Sequence, residues 1–120
     1  MSKKILVVDD DLVNVKVMQK RLTEQGYEVV IARDGDVGLE RVQKDHPDLI
    51  ILDVEMPRMN GYFFMSELKN MPDFKDIPVI VITANEEMEN AFAGKAIGYL
   101  VKPIDFDKFF ANLKEIFSQP

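Results

Sequence analysis

Five residues able to do ionic or hydrogen-bonding chemistry each come at the end of a short apolar run: Asp9, Asp10, Asp53, Thr83 and Lys102. Carboxylate oxygens without nitrogen or sulfur ligands suit a hard cation, above all Mg²⁺, which keeps waters that a phosphate can replace. A lysine adds a compact positive charge, and a threonine adds a hydroxyl donor. Together these groups could surround a phosphoryl group, with Asp53 as the nucleophile that forms an aspartyl phosphate.

Each of these residues also has a structural explanation when it is considered alone. Residues 9–11 could simply start and cap a helix. Thr83 could bond the backbone at a strand end, and Lys102 could be solvated in front of Pro103. The observation that favours a functional site is that these residues occur together, at the ends of four separate apolar strands.

The apolar runs predict the strands of a parallel sheet. Residues 5–8, 49–52 and 79–82 have no alternating polar face, which is typical of strands buried on both sides. Residues 29–31 and 98–101 are the other two strand-like stretches. Because the carboxyl ends of parallel strands share one edge, where ligands bind in open α/β sheets, the candidate site residues are expected there.

Helical periodicity fills the segments between the strands. The first helix is predicted to begin after its candidate cap Asp11 and to end before Gly26. Further helices are predicted over residues 37–45 and 62–71, and a short one over residues 86–92.

The last helix is predicted to follow its candidate cap Asp105. Its residues on one face form a complete apolar stripe, made by Phe106, Phe109, Phe110, Leu113, Ile116 and Phe117. Strict alternation of strands and helices predicts the α/β class and a doubly wound sheet in a single domain over residues 1–120.

Composition narrows the classes of function. The chain has 21 acidic and 15 basic residues and a net charge of −6, which argues against direct nucleic-acid binding and against an anionic membrane surface. It has no cysteine, so disulfides, thiolate catalysis and zinc–cysteine sites are excluded. Residues 1–4 lead directly into a strand without a signal peptide, and no apolar run could span a membrane. We therefore expect a cytoplasmic protein.

In combination and in order, these motifs resemble the receiver domain of two-component response regulators. The resemblance covers essentially the whole chain. It implies a flavodoxin-like (βα)5 fold with a parallel five-stranded sheet of order 2-1-3-4-5. The matching segments are residues 5–11, Asp53 with Met56-Pro57 and Gly61, residues 78–84, and residues 99–103.

The resemblance also implies a role for each site residue. Asp53 would accept a phosphoryl group from the phosphohistidine of a sensor histidine kinase or a histidine phosphotransfer protein. The cofactor would be Mg²⁺, for which Mn²⁺ can substitute. Asp10 and Asp53 would bind it directly, together with the backbone carbonyl of Glu55. Asp9 would act mainly through water, and Lys102 would contact the phosphoryl oxygens.

A conformational switch is implied as well. Thr83 would move to bond the phosphoryl group, and Tyr99 would turn into the space that Thr83 leaves. This repacks a face made by the fourth helix, the fifth strand and the last helix. A downstream protein target or an output domain would read that face, and phosphorylated copies would pair through it as a dimer. Such a domain catalyses its own phosphorylation and slow dephosphorylation but is no turnover enzyme.

The chain departs from the family pattern at three places. The stretch from Thr83 to Lys102 is shorter than usual by about one helical turn, so the fourth helix is expected to be truncated or partly unwound. Lys95-Ala96 stands where a Gly-Ala pair is usual. Glu55 and Asn85 occupy variable positions that tune loss of the phosphoryl group, and Glu55 is expected to slow hydrolysis.

Three other interpretations of the residues remain open. Asp9 and Asp11 formally match the DxD motif of haloacid dehalogenase-like phosphohydrolases, which would leave Asp53 and Met56-Pro57 unexplained. A flavin-binding electron carrier has the same fold, although the acidic residues after the first strand would repel a flavin phosphate. The third is an interaction module with a vestigial site. His46, a lone histidine before Pro47, is assigned no catalytic role.

No output domain follows Pro120 in this chain. The sequence is therefore compatible with a single-domain response regulator and with a receiver taken from a longer regulator or hybrid kinase.

Overall fold

The computed structural model describes residues 2–54, 61–84 and 96–118. The helix predicted over residues 86–92 and the Met56-Pro57 motif lie outside these ranges. In chain order the elements are β1 (Lys4–Val8), α1 (Leu12–Glu24), β2 (Glu28–Ala32), α2 (Gly35–Asp45), β3 (Leu49–Asp53), α3 (Gly61–Lys69), β4 (Val79–Thr83), β5 (Gly98–Val101) and α4 (Phe106–Ser118).

The strands form one parallel sheet of five strands in the order β2-β1-β3-β4-β5. This confirms the predicted flavodoxin-like topology. Strands β3 and β4 are buried at every residue, as their uninterrupted apolar sequences predict. The strand order reverses between β1 and β3, so the crevice outside their carboxyl ends is the topological switch point of the sheet.

Alternate side chains of the strands enter two hydrophobic cores, one on each face of the sheet. One core packs Leu6 and Val8 of β1 against Phe64 of α3 and Val42 of α2. The other core packs Ile5 and Val7 against α1 and α4, with Phe109, Phe110 and Leu113 buried. The predicted apolar stripe of the last helix is therefore confirmed as core.

Helix ends are defined by side-chain caps. Asp11 accepts hydrogen bonds from the Val13 and Asn14 amides at 2.9 and 3.1 Å, and Asp105 accepts one from the Lys108 amide at 3.2 Å, as predicted. Helix α2 begins two residues earlier than predicted, at Gly35, because the Asp34 carboxylate caps it.

Helix α3 spans Gly61–Lys69 rather than residues 62–71. Beyond Lys69 the Met71 amide bonds the carbonyl of Leu68, three residues back, at 3.1 Å, so the chain tightens into a turn and the regular helix ends. None of the helices in the described ranges is long and apolar enough to cross a membrane.

Candidate phosphoryl-transfer site

The carboxyl ends of four strands meet at one edge of the sheet. Val8 at the end of β1 lies beside Leu52 of β3, so Asp9 and Asp53 follow neighbouring strands. Asp53 pairs in register with Ile82 of β4, one residue before Thr83. Thr83 in turn lies beside Val101, the residue before Lys102. The parallel register therefore brings the strand-end residues together, as the sequence predicts.

Asp53 and Lys102 form the central ion pair of this edge. The Lys102 Nζ atom lies 2.7 Å from the Asp53 Oδ2 atom, and the Asp53 side chain is only 3% exposed. The Lys102 amide donates to the Thr83 carbonyl at 2.9 Å, which ties the lysine to the end of β4. A buried carboxylate beside one flexible cation has an anionic oxygen in place to attack an electrophile.

Asp9 is a second buried carboxyl group beside the first. Burial, and then the negative charge and hydrogen bonding of Asp53, raise the pKa of Asp9 from 3.8 to about 6, although the Asp11 amide and Lys102 act in the opposite direction. The Asp11 amide donates to the Asp9 Oδ1 atom at 2.9 Å. A bound cation would relieve the same repulsion that a proton relieves here.

Asp10 and Asp11 have different surroundings from Asp9. Asp10 is half-buried, and its backbone carbonyl accepts a hydrogen bond from the Arg33 guanidinium at 3.1 Å. The Asp11 carboxylate caps α1. This capping role does not favour the phosphohydrolase alternative, in which Asp9 and Asp11 would act together on the substrate.

The donor set at this edge consists of oxygen atoms, which fits a hard cation. Within residues 2–54, 61–84 and 96–118, no three acidic or histidine side chains are grouped closely enough to hold a metal ion alone. A cation here would therefore need backbone carbonyl or water ligands in addition, which is typical of Mg²⁺. The predicted carbonyl ligand, that of Glu55, lies outside the described residues.

A cavity of about 320 Å³ opens beside the ion pair. Its charged lining residues are Asp9, Asp53 and Lys102, which the sequence analysis had assigned to the site. The other lining residues are Asn14, Val17, Met18, Ile82, Pro103, Ile104 and Phe106, which were not predicted as site residues. In the sequence, the apolar residues among them look like ordinary buried positions of helices and strands. Only Asn14, on the first turn of α1, has a polar side chain that could have indicated a site residue.

Thr83 and Tyr99 lie on the same face of the sheet. Thr83 is fully buried at the end of β4, and Tyr99 of β5 pairs with Val81, two residues before Thr83. Side chains alternate along a strand, so Val81 and Thr83 point to one face. Tyr99 packs against the core of that face, which contains Val79 and Val81. The two residues assigned to the switch are thus diagonal neighbours.

His46 is remote from the site. It ends α2 with a φ of 48°, in the left-handed region, and its ring lies 5.3 Å from that of Phe74. Because it comes just before β3, it lies toward the opposite, amino-terminal edge of the sheet from the strand-end residues. This position is consistent with the absence of any catalytic role.

Comparisons with known proteins identify the class to which this fold and site belong. The family described as the response regulator receiver domain matches residues 5–114. Response regulator PleD of Caulobacter vibrioides is 40% identical over 119 residues, which cover 97% of this chain and 26% of PleD. The chain spans about a quarter to a half of the length of the curated relatives that it matches.

Solved structures agree with this result. The chemotaxis response regulator CheY4 of Vibrio cholerae is similar with a TM-score of 0.86 and 33% identity, covering 97% of this chain and 99% of CheY4. The receiver domain of sensor histidine kinase PA1611 from Pseudomonas aeruginosa has a TM-score of 0.89 and 26% identity, with coverage of 99% and 100%. That structure has a magnesium ion coordinated in its active site cleft.

The chain belongs to the response regulator receiver domain family of two-component systems. Receiver domains are signalling domains that act with histidine kinases and downstream targets, and they are not classic turnover enzymes.

Proposed function

We propose that this domain, over residues 1–120, receives a phosphoryl group on Asp53 from the phosphohistidine of a sensor histidine kinase or a histidine phosphotransfer protein. The observation that carries the proposal is the 2.7 Å contact between the Lys102 Nζ atom and the buried Asp53 carboxylate at the rim of a cavity. A carboxylate in this position can act as an anionic nucleophile. The neighbouring Lys102 ammonium can stabilise the negative charge of the incoming phosphoryl oxygens.

In the transfer step, an Asp53 carboxylate oxygen forms a bond to phosphorus. The bond between phosphorus and the donor's imidazole nitrogen breaks, and its electron pair remains on that nitrogen. Lys102 keeps its charge within reach of the phosphoryl oxygens, since its backbone is bonded to the end of β4. Asp9, Asp10, Asp53 and the Glu55 carbonyl would hold Mg²⁺, which supplies positive charge to the phosphoryl oxygens when it is bound.

The proposal includes a readout through Thr83 and Tyr99. Both residues lie on the same face of the sheet, and Tyr99 belongs to β5, which is the last strand of the sheet order. A hydrogen bond from the Thr83 hydroxyl to the phosphoryl group would change the space next to Tyr99. The face around β5 would then present a different surface to a downstream protein or to an output domain.

The test is phosphorylation by acetyl phosphate followed by intact mass. Parent chain and Asp53→Asn, which keeps the shape of the side chain without its charge, are incubated with and without Mg²⁺. We expect the parent to gain one phosphoryl group only with Mg²⁺ and the Asp53→Asn variant to gain none. A phosphorylated Asp53→Asn protein, or a parent that stays unmodified with both acetyl phosphate and a phosphorylated histidine donor, would refute the proposal.

A further inference from the structure

The turn from β1 to α1 is held at each of its three residues. The Asp9 amide donates to the Ala32 carbonyl at 3.0 Å, which is the last backbone bond between β1 and β2. The Asp11 amide donates to the Asp9 carboxylate, and the Asp11 carboxylate caps α1. The carbonyl of Asp10, between them, accepts a hydrogen bond from the guanidinium of Arg33, which lies in the connection between β2 and α2.

Arg33 is placed for this contact by the register of the sheet. It directly follows Ala32, the last residue of β2, which pairs with Val8 of β1. Where the backbone ladder ends, the Arg33 side chain continues the link between the two strands, with its Nη2 atom 3.1 Å from the Asp10 carbonyl oxygen. Arg33 is otherwise exposed, so packing against the core does not account for its orientation.

We propose that Arg33 is a positioning residue for the Mg²⁺ site, acting through the backbone of Asp10. This inference rests on the proposed function, in which Asp10 binds the cation. Mg²⁺ requires near-ideal octahedral geometry at short distances, so a ligand held in place costs less to bring to the ion. Residues that orient a metal ligand without touching the metal typically change affinity by about 10- to 100-fold. Because Arg33 is exposed, we expect an effect below that range.

Charge alone predicts the opposite effect. Arg33 is a cation close to a site formed by Asp9, Asp10 and Asp53, and a cation near a metal site repels Mg²⁺. If Arg33 acted only through its charge, its removal would strengthen Mg²⁺ binding. If it positions Asp10, its removal weakens binding. The sign of the change therefore separates the two roles.

The test is calorimetric titration with Mg²⁺ at physiological ionic strength. The variants are Arg33→Ala, Arg33→Lys, which keeps a donor and the charge, and Arg41→Ala. Arg41 is the matched control because it is an exposed arginine whose charge faces Asp45 of the same helix at 3.5 Å. We expect Arg33→Ala to weaken Mg²⁺ binding about 3- to 10-fold, Arg33→Lys to recover most of that loss, and Arg41→Ala to match the parent.

A second readout is the Mg²⁺ dependence of phosphorylation by acetyl phosphate. For Arg33→Ala the Mg²⁺ concentration that gives half the maximal rate should rise, while the rate at saturating Mg²⁺ stays that of the parent. Unchanged or tighter Mg²⁺ binding by Arg33→Ala would overturn this inference and leave the proposed function standing. A parent chain that binds no Mg²⁺ would overturn both.

Discussion

At the scale of single residues, the site brings buried negative charges close together, and this lowers the stability of the folded domain. Asp9 and Asp53 are both buried, and Lys102 is the cation in contact with Asp53. The pKa of Asp9 lies at about 6 in the folded chain, above its ordinary value of 3.8. A carboxyl group whose pKa is raised by folding favours the folded state while it is protonated. Its contribution is complete below the ordinary value and is lost as pH rises through about 6.

We predict that Asp9→Asn stabilises the metal-free domain. The asparagine has no charge to bury, and its oxygen can still accept the hydrogen bond from the Asp11 amide. In the presence of EDTA, we expect its free energy of unfolding to exceed that of the parent by about 1–3 kcal/mol near pH 8, and by little near pH 4. Denaturant unfolding across this pH range measures the difference.

The control for this prediction is Asp73→Asn, which removes an equal charge from an exposed position in the loop before β4. It should follow the parent at every pH. If Asp9→Asn is less stable than the parent near pH 8, burial of the Asp9 charge is not what limits the stability of the metal-free domain.

At the scale of elements, the site depends on how closely α2 packs against the sheet. A Cβ atom at Gly38 would lie 2.9 Å from Phe64 Cε2 and 3.3 Å from Val8 Cγ2. Phe64 and Val8 are both fully buried, so neither can move away into solvent. Val8 is the residue before Asp9, so this contact lies directly beneath the site.

We predict that Gly38→Ala destabilises the domain, although alanine is the better helix former. Helix propensity favours the alanine by about 1 kcal/mol, while overpacking a core of this kind costs about 1–3 kcal/mol. We expect the cost of overpacking to exceed the gain in helix propensity. The free energy of unfolding should fall by about 1 kcal/mol, which denaturant titration measures.

Gly98→Ala in β5 is the comparison variant. Its Cβ atom would lie 3.9 Å from Ile80 Cγ1, an ordinary van der Waals distance, so this variant should be at least as stable as the parent. Equal losses of stability in the two variants would contradict the packing explanation.

At the scale of the whole molecule, the site links regions that are far apart in the chain. Residues at or just after the ends of β1, β3, β4 and β5 meet only when these four strands are paired in the sheet. A ligand that binds these residues binds the folded state alone, so its binding free energy adds to the stability of the whole domain.

We therefore predict that Mg²⁺ stabilises the domain as a unit. At ten times its dissociation constant, Mg²⁺ should raise the free energy of unfolding by about 1.4 kcal/mol. Asp53→Asn should lose most of this gain, because it removes one of the carboxylates proposed to bind the ion. Thermal unfolding as a function of Mg²⁺ concentration measures the gain, with a sodium salt at equal ionic strength as the control for screening. An equal gain with the sodium salt would show that general screening explains the effect.

Much of the fold could be predicted from local patterns. The uninterrupted apolar runs of β3 and β4 and the stripe of α4 depend on residues near each other in sequence, and the structure has them as predicted. The start of α2 was missed by two residues because Asp34 and Gly35 are residue types that also form turns, and only the hydrogen bond from the Val37 amide shows that Asp34 caps the helix here.

For the site, the sequence by itself determined which residues lie at the carboxyl ends of the strands, because each strand is identified from a pattern of residues that are close together in the sequence. Only the tertiary structure decided which of these residues touch. The Lys102–Asp53 contact, the raised pKa of Asp9, the apolar lining of the cavity and the bond from Arg33 to Asp10 all join residues that are far apart in the sequence. Distances and desolvation of this kind arise only when the strands are in register, since no local pattern encodes them.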